Sequence, residues 1–244
     1  MPTLTDVTNI LPNPNNAYNV AGQDSGNDKG PGFVSVKLTS EHKINNQRTN
    51  SGRLVSRELS GHKWNIDITY NPLTRDEFDP VYSFLLQSRG SMKPFFVSLP
   101  QYSTPKDSTF ASYGDVNAFS PTALTAAGNT NMLIEESGYS VGTHGSPKPG
   151  DIFTVSDNGH DSNHTKVYQI TRVETSADHT DALGATDRLR LHFIPALQRS
   201  VSAGANIIFS NPLFRVVLRN DVQEQSLGVN NLYQFSLKVE EAQK

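Results

Sequence analysis

The sequence predicts a mainly β chain: a β-sandwich or split barrel with one α-helix, into which a small five-stranded β-barrel is inserted. Three observations predict it. Trp64, Ile66, Ile68 and Tyr70 alternate with Lys63, Asn65, Asp67 and Thr69, and near the C-terminus Tyr233, Phe235, Leu237 and Val239 alternate with Gln234, Ser236 and Lys238. That period of two belongs to strands with one buried face. One stretch carries strong helical spacing, through Phe78, Val81, Tyr82, Leu85 and Leu86. Between these regions lie five short strands with no helix separating them, the pattern of a small barrel of the oligonucleotide/oligosaccharide-binding or the SH3-like type.

In chain order, residues 1–30 are rich in Asn, Pro and Gly and read as an arm, with Leu4, Ile10 and Leu11 as its apolar anchors. Phe33–Leu38 is the first strand. A polar stretch through Asn45-Asn46 and Asn50-Ser51-Gly52 separates it from Arg53–Leu59, which a tight turn at Ser60-Gly61-His62 is expected to fold back on the Trp64 strand as a hairpin. Thr74 and Glu77 have the spacing of a capping box, and Gly90 suits the left-handed turn after a helix. Pro80 allows two readings, a helix from Thr74 with a kink or a restart with Asp79 as cap and Pro80 at the first position. The kinked helix is preferred because it gives Phe78 a role. The barrel strands are 131–135, 152–155, 166–173, 188–194 and 206–209.

After Asn211-Pro212 the long one-sided pattern returns, with Phe214, Val216 and Leu218 alternating with Arg215 and Arg219. Such strands need something to cover. The simplest account is that they rejoin the first sheet; the alternative is two tandem domains, in which the C-terminal strands would need another core. The expected organisation is therefore an arm (1–30), a host domain (31–115 plus 212–244) and an inserted barrel (116–211).

Composition excludes several classes. The 244 residues are 35% apolar and 18% charged, so the balance is uncharged polar, which favours turns and exposed strands. The absence of cysteine excludes disulfides and thiolate metal sites. No apolar run reaches membrane-spanning length, and the first residues lack a basic start. A protein kept in the cytoplasm, or packed into a particle assembled there, fits best. The net charge of −3 lacks the basic footprint of a nucleic-acid binder. Arg53, Arg57 and Lys63 read as a solvated face.

The Trp64 strand, Asn71-Pro-Leu-Thr-Arg-Asp-Glu-Phe-Asp-Pro80, Phe84-Leu-Leu-Gln-Ser-Arg-Gly90 and Pro94-Phe-Phe96 resemble the distal tail or minor tail proteins of long-tailed bacteriophages and gene transfer agents. Pro149-Gly-Asp-Ile-Phe153, Lys166–Thr171, Leu191–Leu197 and Asn230–Leu237 agree in order, so the resemblance spans roughly residues 53–240. It implies a tail-tube-like β domain with one helix that forms a ring around the tail channel, commonly a hexamer, and a second β domain projecting outward. The implied role is structural, in the virion, at the tail tip or baseplate, joining the tail tube to the distal apparatus. The implied partners are further copies of the chain, the tail tube protein, and a baseplate hub or other tip proteins. DNA would pass through ungripped, and no membrane insertion is implied. The ring contacts are expected on the strands at 213–219 and 232–239, whose unpaired edges would invite a neighbour. The candidate residues are Arg215, Val217, Arg219, Gln234, Ser236 and Lys238, with the loop aromatics Tyr102 and Tyr113.

Chemistry is not expected. His160-Asp-Ser-Asn-His164, with Asp157, places two imidazoles near carboxylates, but Asp157-Asn-Gly159 announces a loop and no third ligand of fixed spacing follows. A solvated hairpin tip is the better reading. The chain has no Gly-x-Ser-x-Gly elbow, no His-Glu-x-x-His and no phosphate-cradling loop. Glu135-Glu136 and Glu240-Glu241 are neighbours in strands, so each pair points to opposite faces. No cofactor, no metal and no enzyme activity are expected. The rival reading is a carbohydrate-binding host-recognition module seated on the barrel.

Overall fold

The computed structural model describes residues 9–12, 33–58, 61–157, 164–175, 188–221, 226–228 and 230–242. Strands β1 (Phe33–Glu41), β2 (Ile44–Arg48), β3 (Leu54–Glu58) and β4 (Lys63–Tyr70) precede helix α1 (Arg75–Ser88). Then come β5 (Phe95–Ser98), the short α2 (Ser108–Ala111), β6 (Ser120–Pro121), β7 (Asn131–Glu135), the short α3 (Val141–His144), β8 (Ile152–Ser156), β9 (His164–Glu174), β10 (Arg188–Ile194) and β11 (Asn206–Ile208). β12 (Leu213–Leu218), β13 (Ser226–Leu227), β14 (Tyr233–Gln234) and β15 (Ser236–Glu241) close the chain. The chain is mainly β, with one curled half-barrel sheet and one nearly closed barrel sheet. Two compact units emerge, Met1–Phe95 with Val216–Ala242, and Phe96–Arg215. By this division residues 96–115 and 212–215, read from the sequence with the host domain, group with the second unit.

The first sheet runs β1-β4-β15-β12-β5, antiparallel where β4 meets β1 and β15 and where β15 meets β12. The alternation around Trp64 decides its sidedness. Trp64, Ile66, Ile68 and Tyr70 are buried, and β15 matches them with Leu237 beside Ile68 and Val239 beside Ile66. Opening and closing segments of the chain thus share one sheet and one apolar layer. Phe78 of α1 lies flat on Tyr233 with ring centroids 4.5 Å apart and meets Phe235 edge-on at 5.6 Å. Phe235 in turn lies 5.7 Å from Tyr70. Burying a ring such as Phe78 contributes roughly 2–3 kcal/mol.

Helix α1 runs unbroken from Arg75 to Ser88 with Pro80 inside it, so the restart at Asp79 does not occur. The Glu77 carboxylate accepts from the Thr74 amide and hydroxyl, each at 2.8 Å, which anchors the first turn. Phe78, Val81 and Leu85 are its buried stripe, as their spacing demands. Termination involves two left-handed residues, Arg89 (φ 53°) as the cap and then Gly90 (φ +64°).

The expected hairpin between Arg53–Leu59 and the Trp64 strand is corrected. β3 pairs with β2, while β4 is flanked by β1 and β15. The tight connection is at Thr49–Arg53, where Thr49 N donates to Arg53 O at 3.0 Å and Gly52 takes φ +81°. β2 escaped detection because Asn45, Asn46 and Gln47 give it no apolar alternation. Of the arm's anchors, Leu11 is wholly buried and Asn9 Nδ2 donates to Pro94 O at 2.6 Å. Leu4 lies outside the described residues.

The second unit is built on a six-stranded sheet, β11-β8-β9-β10-β7-β6. Five of its strands are those read from the sequence, and the sixth is the two-residue β6. Phe110, Phe119, Met132, Ile134, Tyr139, Phe153, Tyr168, Phe193 and Phe209 fill its interior. The Pro149-Gly150-Asp151 turn forms as read. Gly150 has φ +93°, its amide donates to Ile170 O at 2.7 Å, and Asp151 accepts from the amides of Lys106 (3.1 Å) and Lys148 (2.7 Å).

Candidate oligomer interface

The strands expected to offer open edges do not offer them. β15 lies between β4 and β12, and β12 lies between β15 and β5. Their apolar faces are satisfied by joining the sheet interior, which uses both edges of each. The strands at the two ends of the sheet are β1 and β5.

The candidate residues instead lie across a sheet face. Val217 stands opposite Glu240, and Arg219 donates its amide to Lys238 O at 3.0 Å. Ser236 stands opposite Thr69, and Lys238 opposite Asp67, which faces Lys37 on its other side. Pleating therefore puts Arg215, Val217, Arg219, Ser236 and Lys238 on the side away from Trp64 and Ile66. Arg219, Ser236 and Lys238 are exposed, whereas Arg215 and Val217 are half-buried, and burial pushes the Arg215 guanidinium below its ordinary pKa. Gln234 is exposed in the small β13-β14 ribbon, opposite Ser226. The charges on this face alternate in sign, with Lys63 and Glu240 paired at 3.5 Å. Beneath it, Asn65 Oδ1 and Asp67 Oδ1 are buried without a hydrogen-bond partner among the described residues. Buried acceptors ordinarily have donors.

The β2–β3 hairpin is a second surface that sequence reasoning missed. Every residue from Ile44 to Arg57 is exposed, including Ile44 (54%), Leu54 (56%) and Val55 (50%). A two-stranded ribbon is marginal in water by itself. Arg48, Arg53 and Arg57 make it basic, and Arg53 and Arg57 belong to this ribbon rather than to a face shared with Lys63.

The loop aromatics divide. Phe119 is wholly buried in the second unit. Tyr113 is half-buried against the same core, 4.7 Å from His144 and 5.7 Å from Tyr139 by ring centroids. Tyr102 is half-buried at the end of a single 3₁₀ turn. Glu136, near Tyr113, has a raised pKa from burial first and the Asp115 carboxylate second. Of the expected loop site, residues 158–163 and the His164 side chain lie outside the described residues. Asp157 is buried and accepts from Ser202 N at 2.7 Å and from the Ser202 hydroxyl. Among the described residues no three His, Asp or Glu side chains gather as a metal cluster. No helix there is long and apolar enough to cross a membrane.

No protein-family model matches the chain. It is similar to the distal tail protein pb9 of Escherichia phage T5, with 28% identity over 215 residues, covering 87% of this chain and 93% of that protein. The resemblance to distal tail proteins read from the sequence is thereby borne out.

Proposed function

We propose that this chain is a structural, non-enzymatic protein of a phage tail, placed where the tail tube meets the tip, and that its copies close into a ring around the DNA channel. The observation that carries this reading is the likeness to a distal tail protein across nearly the whole of both chains. The surfaces support it. A curled sheet with β1 and β5 at its ends and an exposed apolar ribbon are features that a neighbouring copy would cover.

A ring needs a heterologous contact, in which each copy offers one surface and receives another. A permanent one buries about 2,000 Å² or more. The outward face of β12 and β15 and the β2–β3 ribbon are separate surfaces of one unit, as such a contact requires. A net charge of −3 per subunit lets DNA slide past, since neutralised phosphates are what hold DNA to protein.

The test is the mass of the purified chain by native mass spectrometry and light scattering, with class averages by electron microscopy. A closed particle of six 26.8 kDa chains is expected. A monomer at every concentration, with no ring induced by the tail tube protein, would sink the reading.

A further inference from the structure

His42 and His62 stand one on each stem of the β2–β3 ribbon, His42 between β1 and β2 and His62 just before β4. In the β1–β4 register Ser40 pairs with Trp64 and Glu41 with Lys63. Continuing it sets His42 opposite His62. Their ring centroids are 4.7 Å apart, and both Nε2 atoms converge on the Ser40 hydroxyl oxygen, at 3.1 Å from His42 and 2.8 Å from His62. His62 is buried at 6% exposure with its ring edge-on to Trp64 at 4.8 Å, whereas His42 is exposed. The position is fixed on one side and open on the other.

Two imidazole nitrogens aimed at one point across paired strands are the beginning of a chelate. A neutral imidazole presents one ring nitrogen as an acceptor, and that nitrogen is also the metal ligand. The Ser40 hydroxyl donates to one ring and can accept from the other only if that ring carries its hydrogen on Nε2, whereas a cation takes both nitrogens as acceptors. A cation at about 2.0–2.1 Å from each Nε2 would engage both at once in the place the Ser40 hydroxyl now takes, with that hydroxyl turned aside. The next row of the sheet favours positive charge. Glu241 falls opposite Trp64 when the β4–β15 register is continued, is buried, and accepts from the Trp64 amide at 3.2 Å. Lys63, the nearest cation in β4, points to the other face and pairs with Glu240. Lys43 lies on the same stem as His42, with its side chain running past Gly61.

We propose that His42 and His62 form a two-imidazole site for a divalent transition metal of the zinc class at the base of the ribbon. With two protein ligands, the remaining coordination positions are left to water. Binding there clamps the two stems together and fixes the angle at which the ribbon leaves the sheet.

The experiment titrates Zn²⁺ into the tag-free full chain and follows the imidazole nitrogens by long-range ¹H–¹⁵N correlation. His144, His179 and His192 serve as internal controls, and the His160 and His164 signals report any binding at their loop separately. The Nε2 signals of His42 and His62 are expected to shift together at one equivalent. His42→Gln, an exposed and fold-neutral change, is expected to weaken binding at least tenfold. Ser40→Ala keeps both ligands and is expected to retain binding. Unmoved His42 and His62 signals in excess Zn²⁺, or unchanged affinity in His42→Gln, would overturn the site.

Discussion

Asp221 holds Ser91 through a single carboxylate oxygen, which accepts from the Ser91 amide at 3.0 Å and from its hydroxyl at 2.9 Å, across 130 residues of sequence. The segment that follows β12 is thereby tied to the turn that ends α1. The same oxygen would lie 2.5 Å from a Cβ at residue 90, so the turn needs glycine for two reasons, the other being φ +64°. These two bonds also hold the Asp221 carboxyl below its ordinary pKa.

Gly90→Ala is therefore expected to destabilise the first unit by about 1–3 kcal/mol, from left-handed backbone strain plus the clash. Pairing it with Asp221→Ala separates the causes, since that change removes the carboxylate clash and leaves the strain together with a 3.3 Å contact to the residue 221 Cα. Trp64 is the chain's single tryptophan and sits in this unit, so its fluorescence in urea reports the transition directly. Equal costs for Gly90→Ala with and without Asp221 would show that the carboxylate simply moves aside.

What was legible in the sequence follows from how each feature is encoded. The Trp64 strand, the α1 stripe and the five barrel strands are written as local apolar periodicity, and they formed where the period placed them. β2 has no apolar period, since Asn45, Asn46 and Gln47 face water on both sides, so its pairing with β3 could not be read. The interior positions of β12 and β15 depend on strand order, which periodicity does not contain. His42 and His62 are twenty residues apart and meet only through the register of β1 on β4. The outward candidates Arg219, Ser236 and Lys238 were readable as exposed, but the reason offered for them, a free edge, was not available from composition.

Tyr70 tests the balance between burial and hydrogen bonding in the first unit. Its hydroxyl is buried with no hydrogen-bond partner among the described residues, and burial drives the phenol pKa up. The ring itself is well placed, edge-on to Phe33 at 5.2 Å and near Phe235. Tyr70→Phe keeps the ring and removes the unpaired dipole. It is expected to leave stability unchanged or raise it by about 1 kcal/mol, because an unpaired buried polar group costs about that much. A loss of stability in urea, followed through Trp64, would mean that the hydroxyl has a partner.

Asp107 gives the second unit an acid limb. Its carboxylate accepts from the amides of Thr109 (3.0 Å), Phe110 (3.4 Å) and Ser146 (3.4 Å) and pairs with Lys148 at 3.3 Å. Burial acts to raise its pKa, but the Lys148 ammonium and these amides outweigh it, so the folded value lies below the ordinary 3.8. The stabilisation is fully present above the unfolded value and is lost as pH falls below 3.8 through the lower folded value, because the unfolded chain takes up the proton first. Asp107→Asn keeps a capping oxygen and removes the titration, so its melting temperature should fall less steeply than the native protein's as pH drops below 3.8. Asp107→Ala should cost about 1–2 kcal/mol at neutral pH. Parallel acid limbs in the native chain and Asp107→Asn, by circular dichroism, would remove this residue from the account.

The β2–β3 ribbon separates folding from assembly. Ile44, Leu54 and Val55 expose apolar side chains that contribute little to the isolated chain, since they are about half in water. Replacing all three by Thr puts β-branched residues at all three strand positions and reduces the exposed apolar surface. The change should leave the Trp64-reported stability within about 0.5 kcal/mol, as surface substitutions usually do. If the ribbon packs on a neighbouring copy, the same change removes anchors from the core of that contact, where apolar side chains carry much of the binding energy. Ring occupancy at fixed protein concentration should then fall at least tenfold by native mass spectrometry. Charge reversal at Arg219 and Lys238 probes the other surface in the same assay and should weaken assembly more at low salt than at high salt. Loss from one set of substitutions alone would assign the contact to that surface. Intact rings from both would exclude the ribbon and the β12–β15 face together and turn the search to the terminal strands β1 and β5 and to Tyr102 and Tyr113.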